Sequence, residues 1–289
     1  MEVFVDDDNQ EYDVGHHPHV VGIKFERGGL GDFFLGIRFP NLVELNCSNC
    51  YLKELTINCP SLRILECQYD KLVVLKLDCP NLRYLDCGWN RLEELKLNCP
   101  NLRSLSCERG RVSRHQLESL SQSCPMLDYL FCIENSIEIL NLNLPFLTKL
   151  SCSSCRLARL TLNCPSLTSL SCSSNFLTEI KGLEKSVLIE KLYASENKLK
   201  NLSWLRGVRS LRVLTCTQNR LTSLDGIEEA ESLEYLGCEN NPLKDLNGLK
   251  FCGFLRKLNC SDDLQEAAEN LKIHLPELKI HCSPRRSYP

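Results

Sequence analysis

Apolar residues recur in a single phase along most of this chain. Leu42, Leu45, Cys47 and Leu52 are followed at a spacing of 20 residues by Leu62, Leu65, Cys67 and Leu72, and then by Leu82, Leu85, Cys87 and Leu92. Written L-x-x-L-x-C-x-x-N-x-L, the frame begins at Leu42, Leu62, Leu82, Leu102, Leu127, Leu147, Leu167, Ile189, Leu211, Leu233 and Leu255. A degenerate copy starts at Val20, with Ile23, Phe25 and Leu30 in the apolar slots and Gly28 in the Asn slot. The Leu-x-Cys alternation has period 2 and predicts a short strand whose Leu and Cys point inward. The Asn slot (Asn90, Asn135, Asn175, Asn197, Asn219, Asn241) predicts the turn that leads away from it.

The return path differs along the chain. Copies from Leu42 to Leu102 and from Leu127 to Leu167 have 20 residues and close on runs such as Leu95-Lys96-Leu97-Asn98-Cys99-Pro100, which leave room only for extended or turn-like backbone. From Leu167 the copies lengthen to 22 residues and acquire Lys181-Gly182-Leu183, Asp225-Gly226-Ile227 and Asn247-Gly248-Leu249. The copy at Leu102 has 25 residues and places Leu117 and Leu120 at helical spacing ahead of Cys124-Pro125.

A fixed-phase repeat of this length resembles the leucine-rich repeat family. The resemblance implies an α/β solenoid: an arc with a curved parallel β-sheet on the concave face, and turns, 3₁₀ segments and one short helix on the convex face. The 22-residue copies are similar to those of the phosphatase-regulator and internalin type, and the Leu102 copy to the cysteine-containing repeats of F-box substrate receptors. The mixture also resembles uncharacterised proteins of amoebae and their giant viruses. The expected organisation is one domain, with an N-terminal cap at 1–19, about 12 repeats over 20–262 and a C-terminal cap and tail at 263–289. Val3-Phe4-Val5 and Tyr12-Asp13-Val14 read as a capping hairpin, Leu264–Leu271 as a helix, and Leu275–Ile280 resembles the family's closing motif.

Composition sharpens this picture at two points. The 289 residues include 54 Leu and 19 Cys, and ten of the cysteines occupy the inward strand slot. Five more (Cys59, Cys79, Cys99, Cys124, Cys164) precede a proline before the strand, and Cys50 and Cys155 stand in the Asn slot. Position in the frame thus explains the thiols as small apolar side chains, in preference to zinc ligands or disulfides. A net charge of −3 argues against nucleic-acid and membrane-surface partners. The N-terminus shows no basic and apolar leader, so a cytoplasmic location is expected, with the nucleus as an alternative and secretion excluded.

No phosphate-loop, dinucleotide, nucleophile-elbow or zincin motif is present, and the expectation is a non-enzymatic protein with no cofactor. His16, His17 and His19 form the one histidine cluster and read as a solvated cap, with metal binding as the alternative. Function then falls to the outward positions of the strands. Ile64, Glu66, Tyr69, Tyr84, Asp86, Trp89, Arg109, Tyr129, Phe131 and Glu134 combine aromatic, Arg and acidic residues, the types that dominate interface energetics. They point to a scaffold that binds a protein or peptide with basic and apolar residues on its concave face. A weaker second patch is Tyr193, Glu196, Tyr235 and Glu239, and a serine floor runs from Ser151 to Ser174. Repeat subtype also allows a regulatory or substrate-recognition subunit of a phosphatase or ubiquitin ligase complex.

Overall fold

The structure, a computed structural model, describes residues 2–5, 21–25 and 41–285. It falls into two compact units, Met1–Ser136 and Ile137–Pro289, both built from the repeat.

In the first unit the strands Glu2–Val5, Gly22–Phe25, Glu44–Asn46, Ile64–Glu66, Tyr84–Asp86, Ser104–Ser106 and Tyr129–Phe131 lie in parallel, in chain order. Register follows the frame: Leu45 faces Leu65, Leu65 faces Leu85 and Leu85 faces Leu105. These leucines are buried, while the residues on either side of each are exposed or half-buried. The 20-residue copies return through a second parallel sheet of Glu54–Asn58, Val74–Asp78 and Glu94–Asn98. Extended backbone is the only conformation that spans so short a return. The long copy supplies the expected helix as two short segments, Arg114–Glu118 and Leu120–Ser123, which bury Leu117 and Leu120. A capping box starts the first segment, with the Ser113 hydroxyl accepting from the Gln116 amide and the Gln116 side chain accepting from the Ser113 amide.

The first strand, Glu2–Val5, pairs in parallel with Gly22–Phe25 and so extends the sheet by one strand. The expected second arm of the hairpin, Tyr12–Val14, and the histidine cluster at His16, His17 and His19 lie outside the described residues, as do Gly28 and Leu30.

In the second unit the main sheet runs Lys149–Ser151, Ser169–Ser171, Lys191–Tyr193, Val213–Thr215, Tyr235–Gly237, Lys257–Ser261 and Lys279–Ser283, again parallel. Its 20-residue copies return through Ile139–Leu142 and Arg159–Leu162, and its 22-residue copies through 3₁₀ turns at Leu183–Lys185, Ser203–Leu205, Ile227–Glu229 and Asn247–Phe251. Gly182 shows why glycine opens such a turn: its φ is 81° and an added Cβ would lie 1.9 Å from the Leu162 carbonyl oxygen. The C-terminal segment adds a helix at Gln265–Leu271 and a last strand whose Ile280 pairs with Leu258.

The Asn slot works as a backbone substitute. Asn90 accepts from the Leu72 amide at 2.9 Å and donates to the carbonyls of Cys67, Cys87 and Gly88, tying each copy to the one before it. Asn135, Asn175, Asn197, Asn219 and Asn241 repeat the arrangement. Where the slot holds Gly110 or Cys155, the slot's own carbonyl accepts the bond instead, from Leu92 at 2.7 Å and Ile137 at 2.8 Å. Turning that peptide costs a second left-handed residue, and Arg111 (φ 61°) and Arg156 (φ 65°) adopt it, as Tyr51 does after Cys50. Asp70 is the intermediate case: one carboxylate oxygen accepts from the Leu52 amide, while the other is buried without a hydrogen bond. Burial pushes its pKa up to about 6, against the lowering effect of the amides around it.

All 19 cysteines are free, and 18 are buried. Burial raises the thiol pKa at Cys172 and Cys216 to about 12, so these groups are protonated packing side chains. Several donate weakly to neighbouring carbonyls, Cys87 to Ser106 and Cys238 to Asn259, both at 3.4 Å.

Candidate functional site

On the open face of the first unit's main sheet, outward side chains line up in columns because every strand is in register. Ile64 lies opposite Tyr84 and Glu66 opposite Asp86. The next strand puts Ser104 beside Tyr84 and Ser106 beside Asp86, and the one after it puts Tyr129 beside Ser104 and Phe131 beside Ser106. The ten residues singled out from sequence are therefore not one cluster. A strand of serines separates Ile64 and Tyr84 from Tyr129 and Phe131, leaving a trough about 10 Å wide with an aromatic wall on each side.

The strongest association occurs just past the strands. Tyr69, Trp89, Arg109 and Glu134 occupy the same repeat position, and all four have left-handed backbone, with φ of 59°, 55°, 48° and 55°. Their amides continue the ladder of hydrogen bonds, Tyr69 to Gly88 at 3.2 Å, Trp89 to Glu108 at 2.7 Å and Arg109 to Ile133 at 2.9 Å. One rung apart, the side chains stack: the Tyr69 and Trp89 rings lie 5.2 Å apart at 24°, and the Arg109 guanidinium sits 4.1 Å from the Trp89 ring centre. Arg109 also pairs with Glu134 at 2.6 Å. Tyr69 and Trp89 remain 51% and 42% exposed, so the stack stands open to solvent.

Acidic groups lie between the stack and the trough. The Asp86 carboxylate accepts from the Gly88 amide at 3.0 Å, and Glu66 accepts from the Asn46 side chain. Glu108 joins them: its pKa is raised by burial and then by the charges of Asp86 and Glu134, with Arg109 opposing. Burial, followed by the charges of Asp86 and Glu66, also raises Tyr84. Glu108 belongs to a column that the sequence reading passed over, the residue directly after the inward Cys, which also holds Ser48, Gln68, Gly88 and Ile133. The signal for it was the same 20-residue spacing. An added Cβ at Gly88 would lie 3.1 Å from the Glu108 carbonyl oxygen and 3.3 Å from the Asp86 carboxylate, so its glycine keeps a notch open in this column.

The second unit shows the same columns with other contents. Its serine floor bonds within itself, Ser153 to Ser171 at 3.0 Å. In the weaker patch the Tyr235 hydroxyl accepts from Asn259 at 3.2 Å and Glu239 accepts from Thr217 at 2.7 Å. Among the described residues, no group of three or more His, Cys, Asp or Glu could hold a metal ion, and no helix is long and apolar enough to cross a membrane.

Comparison with known proteins agrees with this geometry. Residues 209–251 match the family described as Leucine Rich repeats (2 copies). No curated protein matches the sequence significantly. Among solved structures, YopM from Yersinia enterocolitica is similar at a TM-score of 0.65 and 25% identity, over 84% of this chain and 51% of that one. An internalin (InlF) from Listeria monocytogenes is similar at 0.57 and 17%, over 88% and 84%. The functional domain of InlJ from Listeria monocytogenes, which includes a cysteine ladder, is similar at 0.55 and 22%, over 92% and 47%. The chain thus spans about half the length of two of these relatives. Such repeats are an architecture of protein–protein contact, in which stacked strands present a broad face to a partner. The repeat frame, the register it dictates and these likenesses together give the chain the leucine-rich repeat fold, with the family's own model matched over residues 209–251.

Proposed function

We propose that the protein is a non-enzymatic scaffold that holds a protein or peptide segment on the open, concave face of its first unit. The observation that carries this reading is the Tyr69, Trp89, Arg109 and Glu134 column. A left-handed backbone costs an ordinary side chain about 1–2 kcal/mol, and bulky residues have no local reason to adopt it. Serine and glutamine serve the same position in the second unit, so the fold does not require aromatic rings there. Exposed aromatics beside an arginine are what an interface uses.

The bound segment presents apolar side chains to the trough between Tyr84 and Phe131, and Lys or Arg to Glu66, Asp86 and Glu108. A reducing, intracellular setting fits this reading, since 18 of the thiols are packed in the interior as small apolar side chains. The test is affinity capture with the full chain and with Trp89→Ala and Tyr84→Ala. Loss of about 2 kcal/mol in capture with an unchanged melting curve is expected. Undiminished capture by both variants refutes the site, and capture of a phosphatase or ligase subunit through it would make the scaffold a recognition subunit.

A further inference from the structure

The strand-exit rim of the first unit carries a charge opposite to that of its floor. The residue after the Asn slot is Tyr51, Lys71, Arg91 and Arg111 in successive copies, and all four are exposed. Backbone bonds from Lys71 to Leu52 at 3.0 Å and from Arg91 to Leu72 at 2.9 Å set these residues on consecutive rungs. Arg111 reaches the rim because Gly110 offers no side-chain acceptor and the chain turns left-handed there. Lys71 lies 4.8 Å from the Tyr51 ring centre, and Arg91 and Arg111 make no side-chain hydrogen bond or ion pair among the described residues. Of the acids within three residues of these cations, Asp70 is turned in to the Leu52 amide, Glu94 is held by Lys76 and Lys96, and Glu93 and Glu108 stand on other columns, while Glu134 is taken up by Arg109. The rim is left with the charges of Lys71, Arg91 and Arg111.

The aromatic stack alongside decides what class of anion suits it. Tyr69 and Arg109 come from the copies on either side of Trp89, so both faces of the indole are covered. A nucleobase needs a free ring face to stack on, and the indole offers none. Rings stacked face to face turn their edges outward instead, and the edge is the positive part of an aromatic quadrupole. Edges and cations together favour carboxylates. From Lys71 to Arg111 is two rungs, about 10 Å, the span of three residues of extended chain.

We infer that the rim formed by Lys71, Arg91 and Arg111, beside the Tyr69–Trp89–Arg109 stack, is a docking surface for an acidic peptide segment, a short run of Asp and Glu. This inference shares the stack with the proposed function, but its cations are distinct from the acidic floor, which takes basic side chains, so an acidic and a basic probe report on the two separately.

The probe is a fluorescein-labelled oligoglutamate, read by anisotropy against the full chain at low salt and on raising the salt. The expected result is binding that weakens as salt rises and falls about tenfold or more in the Arg91→Glu, Arg111→Glu double variant. Both positions are exposed, so an unchanged melting curve accompanies the loss. A labelled oligolysine, which reports on the floor, should bind the double variant as well as it binds the parent or better. Absence of oligoglutamate binding at low salt, or binding insensitive to the double reversal, overturns the inference. Equal or tighter binding of labelled oligodeoxythymidine, lost in the same variant, overturns the peptide assignment in favour of a single-stranded nucleic acid.

Discussion

The two units hold one column in one conformation with different side chains. In the first unit it reads Asn49, Tyr69, Trp89, Arg109 and Glu134, and in the second Ser154, Ser174, Glu196, Gln218 and Asn240, with φ between 48° and 61° throughout. The amide ladder is shared as well, for example Trp89 to Glu108 at 2.7 Å and Glu196 to Thr217 at 2.8 Å. Identical backbone under serine and under tryptophan shows that the repeat specifies a conformation and leaves the residue open. What the first unit adds on that backbone is free to serve a partner.

If the backbone is common property, breaking it should cost the same in either unit. Asn90→Ala in the first and Asn197→Ala in the second each remove one accepted and three donated hydrogen bonds from buried groups. Each should lower stability by about 3 kcal/mol in urea unfolding, and a difference between them of more than about half that would mean that the two slots are not equivalent.

Exchanging the side chains alone should separate binding from stability. With Tyr69→Ser and Trp89→Ser together, the first unit's column imitates the second's. Partner capture should fall by about 2 kcal/mol or more, while the stability change stays within about 1 kcal/mol, because a stacked pair on a sheet contributes little. A large stability loss would show the stack to be a structural element after all.

Asp70 offers a smaller, pH-dependent contrast with its Asn counterparts. Its folded pKa of about 6 exceeds the ordinary 3.8, so the folded chain holds this proton more tightly than the unfolded chain. Stability therefore falls as pH rises from about 4 to about 6, and the penalty persists above that range. Asp70→Asn restores a donor in place of the unbonded carboxylate oxygen. It should stabilise by about 1–2 kcal/mol at neutral pH, with most of the gain gone near pH 4, as melting at several pH values would reveal. Thiol labelling provides the mildest probe: a bulky alkylating reagent should reach Cys282 in the native protein and all 19 thiols in denaturant without reductant.

Most of the architecture was legible from Leu and Cys spacing, because a residue that must face the core once per copy leaves a periodic trace. The returns were legible too: glycine at 182 and 226 announced 3₁₀ turns, and Leu117 with Leu120 announced the helix. The site was legible only in part. Tyr69, Trp89 and Arg109 could be counted as outward residues, yet nothing in their chemistry suggests left-handed backbone, which the neighbouring copy imposes through the amide ladder. Equally hidden was the division of the aromatics by Ser104 and Ser106, since a list of columns does not show which rung holds small residues until register places them. Arg111 escaped because its position follows from what Gly110 lacks.

The slot bonds also bear on how such a chain can grow. Each reaches back one copy and no further, so a defect at one slot is felt by two neighbours and then fades. A copy can therefore be duplicated or deleted between two slots without rewriting the rest, and copies of 20, 22 and 25 residues stand side by side in this one chain. Length, in such a molecule, is a quantity that selection can adjust a rung at a time.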